Sequence, residues 1–455
     1  MFDRELIRKY NVPGPRYTSY PTVPYWEPET FTKDNWLESV RSSFDDSNES
    51  EGISLYIHLP FCESLCTFCG CHKHITKRHS LESPYIKAVL KEWETYRNLF
   101  GGRARIKELH LGGGTPTFFS PEHLKTLIEG IFEHAELCSD PLLSFEAHPN
   151  NTTLEHLQVL YDLGFRRNSF GIQDYNPIVQ KAINRIQTFD SVKEVTELSR
   201  EVGYTSVSHD LVFGLPFQTM DAIKDTIEKT ASIRPDRIAF YSYAHVPWIK
   251  GTGQRGYNDD DLPSNAGKRA LYEFGKEQFL ELGYKEIGMD HFALPSDDLS
   301  TSMFNRELHR NFMGYTSSKT RLLIGLGMSS ISDSWLGFSQ NVKTVSEYEQ
   351  LAMAGEIPVF RGHLLNDEDL IVRRHILDLM CQFETNFADS KERFPELEAC
   401  LSKLDEMEKD GLVARAGDEL KVLEKGRPFV RNVCMAIDLR LHRKAPKTQV
   451  FSMTI

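Results

Sequence analysis

Four of the eight cysteines fall within ten residues, at Cys62, Cys66, Cys69 and Cys71. Thiolates are soft ligands that favour iron–sulfur clusters, zinc or copper(I). A structural zinc site usually pairs two CxxC knuckles, and the sequence has no second knuckle. A disulfide is disfavoured where cysteines cluster in a chain that lacks a secretory signal. Closely spaced cysteines in one loop are typical of an iron–sulfur cluster, which is the preferred interpretation over zinc.

The number of cysteines that bind decides what such a cluster does. Four ligands would make a closed electron-transfer centre, whereas ligation by Cys62, Cys66 and Cys69 would leave one iron open to a substrate or cofactor. The CxxxCxxC spacing of these three residues resembles the signature of the radical S-adenosylmethionine superfamily. That resemblance implies that the open iron chelates the methionine end of the cofactor. It also implies that one-electron reduction of the cluster releases a 5′-deoxyadenosyl radical.

The composition is that of a globular protein with enough chain for more than one domain, at 455 residues, 40% hydrophobic and 26% charged. The first residues lack the apolar segment of a signal peptide, and no apolar run is long enough to span a membrane. Together with the free thiols, this predicts a reducing compartment, the cytoplasm. A formal charge of −12 argues against nucleic acid as a partner. An anionic substrate would need a locally basic pocket.

Strand-like and helix-like segments alternate from Ile53 onward. Strands are predicted at Ile53–His58, Ile106–Leu111, Leu142–Glu146, Asn168–Ile172, Thr205–Phe213 and Arg237–Tyr243. Helices are predicted near residues 83–99, 121–137, 153–164, 189–202, 219–232 and 265–282. Six β–α units imply parallel strands with right-handed connections. We predict an α/β fold, a partial (β/α)6 barrel related to the TIM barrel, in preference to a doubly wound sheet, because six strands can curl around a cavity.

Polar residues at the ends of these strands form the candidate site, because barrel enzymes place their chemistry at the carboxyl ends of the strands. The cysteine loop follows the first strand, and Gly112–Thr117 follows the second, with glycines that let the backbone approach a ligand closely. Glu146 ends the third strand, Gln173 ends the fourth, and Asp210 lies within the fifth. Polar groups around a metal loop predict a ligand-binding cavity.

The regions that flank the barrel have their own patterns. We distinguish an N-terminal strap (1–50), a catalytic domain (51–360) and a C-terminal unit (361–455). Prolines and a glycine near the start predict an extended strap. The C-terminal unit is predicted to hold helices at 367–382 and 396–410, a hairpin over Leu412–Leu423 that turns at Gly417, and a helix from about 426. This pattern is winged-helix-like, but the acidic charge disfavours DNA binding, so we interpret the unit as a lid.

Several longer motifs together resemble one family, the oxygen-independent coproporphyrinogen III oxidases. The motifs cover almost the whole chain: PRYTSYPT, YIHLPFCESLCTFCGC, GGGTPT, SFGIQDYNPIVQKAINRIQ, DLVFGLP, YAHVP, GMDHFA, LHRNF-x-GYTS and GRPFVRNVCM. The resemblance implies a (β/α)6 partial barrel with a mostly helical C-terminal domain. It also implies one 4Fe–4S cluster on Cys62, Cys66 and Cys69, with Cys71 needed but not a cluster ligand, and two bound S-adenosylmethionine molecules.

The resemblance assigns further roles by position. Contacts to the first S-adenosylmethionine are implied for Tyr56, Gly113, Glu146 and Ile331. Contacts to the second are implied for Phe68, Gly114, Thr115, Gln173, Arg185, Asp210 and Ala244. The candidate catalytic residues are Cys71, Tyr56 and Glu146. The chain departs from the family pattern at Met313, which stands where a glutamine is common near the second S-adenosylmethionine, and at His148 and His209.

The implied activity is oxidative decarboxylation of two propionates of coproporphyrinogen III to vinyl groups, which gives protoporphyrinogen IX without oxygen. A deoxyadenosyl radical would remove a hydrogen atom from the propionate β-carbon, and carbon dioxide and one electron would then leave. An electron donor for the cluster and a terminal electron acceptor are needed, and the chain is expected to be a monomer. Because the substrate carries four propionates, cations must hold it, and we predict Arg16, His309 and Arg310 at the pocket mouth.

Two other functions share the core motifs: a haem chaperone and a radical S-adenosylmethionine methyltransferase of the same superfamily. Chaperones of the superfamily typically lack the counterpart of Cys71, the strap and the LHRN segment, which this sequence has. A methyltransferase also uses two cofactor molecules, so the core motifs alone leave that alternative open.

Overall fold

The computed structural model describes residues 4–246, 253–390, 396–446 and 448–454. Pro247, which ends the YAHVP motif, lies outside them. The strands in this part of the chain are β1 (Ile53–Leu59), β2 (Phe61–Cys62), β3 (His74–Ile75), β4 (Ala104–Gly113), β5 (Ala135–Ala147), β6 (Arg167–Gln173), β7 (Ser206–Phe213), β8 (Arg237–Ser242), β9 (Lys285–Gly288), β10 (His291–Ala293), β11 (His309–Asn311), β12 (Gly314–Thr316), β13 (Leu323–Leu326), β14 (Ile331–Asp333), β15 (Gly337–Asn341), β16 (Val359–Leu364), β17 (Glu384–Asn386), β18 (Val413–Ala416) and β19 (Glu419–Val422).

Helices connect the strands and continue into the C-terminal unit. They are α1 (Arg4–Tyr10), α2 (Lys33–Ser47), α3 (Glu82–Arg97), α4 (Pro121–Phe132), α5 (Leu154–Asp162), α6 (Pro177–Ala182), α7 (Phe189–Val202), α8 (Met220–Ile233), α9 (Asn265–Glu281), α10 (Asp298–Phe304), α11 (Val345–Met353), α12 (Asp367–Gln382), α13 (Leu397–Leu401), α14 (Asp405–Lys409), α15 (Val430–Ile437) and α16 (Leu439–Arg443). Within the described ranges, no helix is both long and apolar enough to cross a membrane.

One large sheet forms the barrel wall, in the order β16-β15-β14-β13-β1-β4-β5-β6-β7-β8-β10-β9. The six predicted strands correspond to β1, β4, β5, β6, β7 and β8. They are neighbours in this sheet, and each adjacent pair of them is parallel. The predicted α/β fold with a partial barrel is therefore confirmed. The sequence pattern did not indicate that β13 adds to β1 in parallel, nor that antiparallel strands extend both edges. All seven residues of β1 are buried, as expected for a strand covered on both faces.

Several predicted boundaries are wrong. The helix predicted to reach residue 137 ends at Phe132, and β5 begins at Ala135, because Ala135 pairs with Ala104 at the start of β4. The helix predicted over 396–410 is broken into α13, a 3-10 turn at Ser402–Leu404, and α14. The hairpin prediction is confirmed: β18 and β19 pair antiparallel, and Gly417 at their turn has a φ of +63°.

The first fifty residues pack in two different places. Helix α2, which the strap prediction missed, buries Trp36, Val40 and Phe44 in the core of the barrel. Their i, i+4 spacing is the helical signal that the sequence contains. The segment before α2 instead packs Tyr17 and Tyr20 into the core of the C-terminal unit. The division into three regions at residues 50 and 360 stays a prediction.

A buried carboxylate ties the far edge of the sheet to the barrel. Glu92 of α3 is fully buried and accepts hydrogen bonds from Gly327 N (2.9 Å), Tyr348 OH (2.6 Å) and Asn341 Nδ2 (2.7 Å). Burial raises the pKa of Glu92 from 4.5 to about 7, although the three hydrogen bonds oppose this rise. The folded state therefore binds the proton on the Glu92 carboxyl group more tightly than the unfolded chain does. The free energy of unfolding falls as the pH rises from 4.5 to about 7.

We expect Glu92→Gln to remove this part of the pH dependence. Between pH 5 and 8 the wild-type free energy of unfolding should fall by about 3 kcal/mol more than that of the variant. Chemical denaturation across this pH range measures the difference. Glu94→Gln, at a half-buried position on the same helix where Glu94 pairs with Lys91, is the matched control and should follow the wild-type curve. Parallel curves for wild type and Glu92→Gln would contradict the assignment.

Candidate active site

A cavity of about 590 Å³ opens at the carboxyl ends of the barrel strands. All four clustered cysteines line it. So do nine of the residues that the family resemblance assigns to S-adenosylmethionine: Phe68, Gly113, Gly114, Thr115, Glu146, Gln173, Arg185, Asp210 and Ala244. Residues that the sequence placed on separate loops thus lie around one space, as strand ends of a parallel barrel require.

The cysteine loop is held at both ends by backbone hydrogen bonds. It leaves through β2 and returns through β3, and these two strands pair in parallel. The tip of the loop rests on the end of α6, where Thr67 N donates to Ile183 O (3.0 Å) and Asn184 Nδ2 donates to Leu65 O (2.8 Å). The loop is therefore positioned by the barrel before any ligand binds.

The four thiols differ electrostatically. The hydrogen bond from Cys71, with the nearby charges of Lys73 and Arg185, lowers the pKa of Cys69 to about 6. The same contact and burial raise the pKa of Cys71 well above its usual value. Burial raises the pKa of Cys62 to about 11. The loop thus favours a thiolate at Cys69 and a protonated thiol at Cys71.

The glycine run allows β1 and β4 to approach closely beneath the cavity. A Cβ on Gly113, whose φ is +110°, would lie 2.6 Å from the ring of His58. A Cβ on Gly114 would lie 2.6 Å from the carbonyl carbon and oxygen of Pro60. Gly114 N instead donates to Leu59 O (2.8 Å), and Thr115 N donates to Phe61 O (3.0 Å). These glycines are needed because no side chain fits between the two strand ends.

Two carboxylates, on strands β5 and β7 with β6 between them, have opposite protonation tendencies. Glu146 accepts from Gly113 N (3.1 Å) and lies 3.5 Å from His110 Nε2. Burial alone would raise the pKa of Glu146, but His110 and the Gly113 amide hold it below its ordinary value. Asp210 accepts only from Ser169 Oγ (2.9 Å) within the described residues, and burial beside Glu146 raises its pKa to about 7. The cavity floor therefore holds one carboxylate and one group that titrates near neutral pH.

Gln173 and Arg185 meet over Gly171. Arg185 Nη2 donates to Gly171 O (2.6 Å), and its Nη1 lies 3.7 Å from Cys66 Sγ. The Nε atom of Arg185 is buried without a hydrogen-bond partner, although the group is charged. A buried donor without an acceptor indicates space for an acceptor on a ligand.

Three of the predicted cofactor residues lie outside this cavity. Tyr56 is buried beneath it, with its hydroxyl 3.0 Å from His58 Nδ1 and its ring 5.0 Å from that of Phe312. Ile331 belongs to β14 on the extended edge of the sheet. Met313 lines a second cavity of about 140 Å³, deeper in the barrel, which shares Glu146 and Asp210 with the first.

The two histidine departures have different environments. His148 lines the main cavity, and burial together with Arg185 lowers its pKa to about 3, so the ring is neutral. His209 points away from the cavity, with its Nε2 3.0 Å from Thr196 Oγ1 of α7. The His209 departure therefore concerns the packing of a strand against a helix.

The predicted substrate cations do not lie together at a pocket mouth. His309 and Arg310 are on β11, which packs against α12, and only 9% and 6% of their surfaces are exposed. Burial lowers the pKa of His309 to about 3, so it carries no charge at neutral pH. Arg16 forms an ion pair with Asp290 beside a small cavity of about 50 Å³. His309 and Arg310 are thus more buried than residue type alone indicates, and the role of all three residues in substrate binding stays a prediction.

Sequence reasoning missed three residues that lie against the ligand space. Tyr241 of β8 lines both cavities, as does Ser169 of β6, which donates to Asp210. His110 of β4 lines the deeper cavity beside Glu146. Side chains alternate between the two faces of a strand, and each of these residues is at an inward-facing position. That alternation is the sequence signal that could have identified them.

Comparison with known proteins agrees with this geometry. The model of the radical SAM superfamily matches residues 56–230. Curated oxygen-independent coproporphyrinogen III oxidases are similar over nearly the whole chain: 36% identical in Pseudomonas aeruginosa (96% of this chain, 95% of the relative) and 37% in Escherichia coli (100% and 98%). The solved structure of coproporphyrinogen III oxidase HemN from Escherichia coli, described as a radical SAM enzyme, aligns with a TM-score of 0.88 at 34% identity and covers 96% of this chain and 99% of that one.

The barrel, the three-cysteine loop and the superfamily match define a radical S-adenosylmethionine protein. The similarity to the curated relatives extends over nearly the whole chain and identifies a particular family within that superfamily. The chain belongs to the family of oxygen-independent coproporphyrinogen III oxidases.

The cofactors of this chain are a 4Fe–4S cluster and S-adenosylmethionine. The site fits both. Cys62, Cys66 and Cys69 present soft sulfur donors to one cavity, with cations on Lys73 and Arg185 nearby. Among the described residues, no three His, Cys, Asp or Glu side chains converge on a point where one ion could sit. A cluster does not need that convergence, because each cysteine binds a different iron.

We expect Gly114→Ala to weaken the cluster loop, because its Cβ would strike backbone atoms of Pro60 and Phe61 that cannot move aside cheaply. Such overpacking typically costs about 1–3 kcal/mol. Iron content after anaerobic reconstitution and the thermal midpoint should both fall. The matched control is Gly70→Ala in the same loop, where no atom lies within 4 Å of the new methyl group. Equal iron content in the two variants would refute the packing argument.

Proposed function

We propose that this chain converts coproporphyrinogen III to protoporphyrinogen IX without oxygen, by oxidative decarboxylation of two propionates. One observation carries the proposal: the three cysteines and nine residues assigned to S-adenosylmethionine line a single cavity. The curated relatives bear the name of this activity. When bound, the cluster and S-adenosylmethionine supply a 5′-deoxyadenosyl radical that removes a hydrogen atom. Each propionate then loses carbon dioxide and passes one electron to an acceptor, which leaves a vinyl group.

We propose that Cys62, Cys66 and Cys69 hold the cluster and that Cys71 does not. Cys71 follows the third ligand and lines the cavity, and the hydrogen bond and charge of Cys69 raise the pKa of its thiol well above its usual value. A protonated thiol in this place can supply hydrogen to a bound molecule, which an additional cluster ligand could not. Tyr56 and Glu146 are the other proposed catalytic residues. Tyr56 lies beneath the cavity floor, whereas Glu146 lines it, and His110 keeps Glu146 ionised.

We propose two binding positions for S-adenosylmethionine. The first involves Tyr56, Gly113, Glu146 and Ile331. The second involves Phe68, Gly114, Thr115, Gln173, Arg185, Asp210 and Ala244. Asp210 supports the second position, because a positively charged sulfonium or ammonium group nearby would favour its ionised form. Met313, in the deeper cavity, cannot donate the hydrogen bonds of an amide, so we expect the second molecule to bind about 1 kcal/mol more weakly than with glutamine there.

The four propionates require cations, and the structure supports a set around Asp290. Arg16 and Lys268 line the small cavity with Arg431, and Ser242 belongs both to this cavity and to the main one. Burial, with Arg16 nearby, lowers the pKa of Lys268 to about 8 and that of Arg431 to about 9. Positive charge thus exceeds negative charge in a buried place, and a carboxylate would relieve the excess.

Arg310 is a proposed substrate cation with unpaired donor atoms. Its Nε and Nη1 atoms are buried without hydrogen-bond partners, and its guanidinium packs 4.6 Å from the centre of the Tyr315 ring. His309 is neutral in the structure, so we propose that it positions β11 and does not bind a carboxylate by charge.

We place the reaction in the cytoplasm, because the free thiols and the cluster need a reducing compartment. The partners that we propose are a one-electron donor and a terminal electron acceptor, with the chain acting as a monomer and without nucleic acid.

We predict that Cys62→Ala, Cys66→Ala and Cys69→Ala each abolish incorporation of the cluster, whereas Cys71→Ala keeps the cluster and loses turnover. The reason is that three cysteines suffice to hold the cluster and leave one iron open. Iron content and the visible spectrum after anaerobic reconstitution report the cluster, and product formation reports turnover. Cys434→Ala, at a buried cysteine of the C-terminal unit, is the control for loss of a thiol elsewhere. Loss of cluster in the Cys71 variant as well would favour four-cysteine ligation.

We predict that Arg310→Met raises the KM for coproporphyrinogen III about ten- to a hundredfold, since a charge-assisted bond to a carboxylate contributes about 1.5–3 kcal/mol. Binding of S-adenosylmethionine and kcat at saturating substrate should change little, which separates substrate binding from a general loss of structure. Arg415→Met removes an arginine paired with Glu408 on the C-terminal hairpin and is the control. An unchanged KM in Arg310→Met would place the carboxylates elsewhere.

The test of the proposed function is an anaerobic assay with coproporphyrinogen III, S-adenosylmethionine and a reductant. We expect two carbon dioxide and two 5′-deoxyadenosine molecules per protoporphyrinogen IX. Equilibrium dialysis should count two S-adenosylmethionine molecules per chain. Stoichiometric haem binding without cofactor cleavage would instead indicate a chaperone, and a product heavier by methyl groups would indicate a methyltransferase.

A further inference from the structure

The surface beside the cysteine loop is basic, although the protein as a whole carries a formal charge of −12. Residues 71–80 contain Lys73, Lys77 and Arg78, together with three histidines, and no acidic residue. Lys77 and Arg78 are exposed, and neither forms an ion pair within the described residues. The local charge is therefore opposite to the net charge.

This basic segment is bonded directly to the backbone of the cysteine loop. Thr76 N donates to Cys62 O (2.9 Å), and His74 N donates to Pro60 O (2.8 Å). Lys73 Nζ donates to the carbonyl oxygens of Cys69 (3.3 Å) and Cys71 (3.1 Å). A molecule that contacts this segment is thus separated from the cysteines by a few bonds and one hydrogen bond.

A second part of the chain adds cations to the same place. His72 Nδ1 lies 2.6 Å from Ser329 Oγ, and Gln340 Nε2 donates to Ser329 O (3.2 Å). Arg361 Nε donates in turn to Gln340 Oε1 (2.8 Å), which connects Arg361 to the basic segment. Lys343 and Arg361 also lie 5.5 Å and 5.2 Å from the ring centre of Phe360. We call Lys73, Lys77, Arg78, Lys343 and Arg361 the basic face.

The basic face includes cations next to exposed apolar side chains. Ile75, between Lys73 and Lys77 in sequence, is 42% exposed, and Phe360, beside Lys343 and Arg361, is 47% exposed. Transient electron-transfer complexes have small interfaces, bring the two redox centres close together and dissociate quickly. Opposite charges on the two partners steer their encounter. Exposed apolar side chains beside cations fit an acidic protein partner.

We propose that the basic face is the docking surface for an acidic one-electron carrier protein. The inference rests on the proposed function, because the cluster must be reduced before it can act. In the transfer, the carrier loses one electron and the cluster gains it, with no bond formed or broken. The nearest route enters through Cys62 or Cys69, whose backbone oxygens the basic segment contacts.

The test uses the reconstituted holoenzyme and a chemically reduced acidic flavodoxin as the carrier. Lys77→Glu combined with Arg78→Glu should lower the second-order rate of cluster reduction, followed by stopped-flow absorbance at low ionic strength, by about tenfold or more. High salt should bring the variant and wild-type rates together. Calorimetry with oxidised flavodoxin should show a matching loss of affinity, independent of any turnover.

The matched control is Lys285→Glu combined with Lys421→Glu, at exposed positions away from the cysteine loop, which changes the net charge equally. Photoreduced 5-deazariboflavin, a neutral small reductant, should reduce the cluster at the same rate in all three proteins. Equal flavodoxin rates in the two double variants would overturn the proposal. If Lys77→Glu with Arg78→Glu also slows reduction by the small reductant, the single variant Lys343→Glu is tested in its place. An unchanged rate of reduction by flavodoxin in Lys343→Glu would then overturn the proposal.

This design separates the inference from the proposed function, because no coproporphyrinogen III is present. A protein whose cluster no reductant can reduce would fail in the deazariboflavin experiment, and it would contradict the proposed function. If deazariboflavin reduces the cluster at a normal rate and the charge substitutions do not change the rate of reduction by flavodoxin, only the docking surface is contradicted.

Discussion

The closeness of β1 and β4 at their carboxyl ends is the constraint on which the site depends. Gly114 N and Thr115 N continue the hydrogen-bond ladder to Leu59 and Phe61, past the point where the strands would normally diverge. This is possible because Gly113 and Gly114 have no side chains to separate the two backbones. The cysteine loop begins at that point, so its position relative to Glu146 and Thr115 is set by the sheet.

Electrostatics complement this geometry. The protein is acidic, yet cations are concentrated where negative charge must be accommodated: Lys73 and Arg185 at the thiols, and Arg16, Lys268 and Arg431 in the small cavity beside Asp290. Burial controls the protonation of the remaining groups, which keeps His148 neutral and brings Asp210 close to its titration point. Ligand charge can therefore change the ionisation of the cavity floor, because the floor is poorly solvated.

Much of this arrangement could be predicted from the sequence. Alternating β–α segments are enough to predict a parallel sheet, and parallel strands bring the cysteine loop, Glu146, Gln173 and Asp210 to one end. The early end of α4 could not be predicted, because pairing of Ala135 with Ala104 overrides helix propensity there. Arg310 was predicted at the pocket mouth because the propionates need cations, and only the packing of β11 against α12 shows its burial. Tyr241 belongs to no motif and was recognised only from the cavity that it lines.

We propose that three cysteines hold the cluster and that one iron is left open to S-adenosylmethionine. Mössbauer spectroscopy of protein reconstituted with iron-57, before and after addition of S-adenosylmethionine, tests this claim most directly. The account predicts that the parameters of a single iron change on addition, and that Cys71→Ala gives the same change. Four irons unaffected by S-adenosylmethionine in the wild-type protein, with a change only after removal of Cys71, would contradict it.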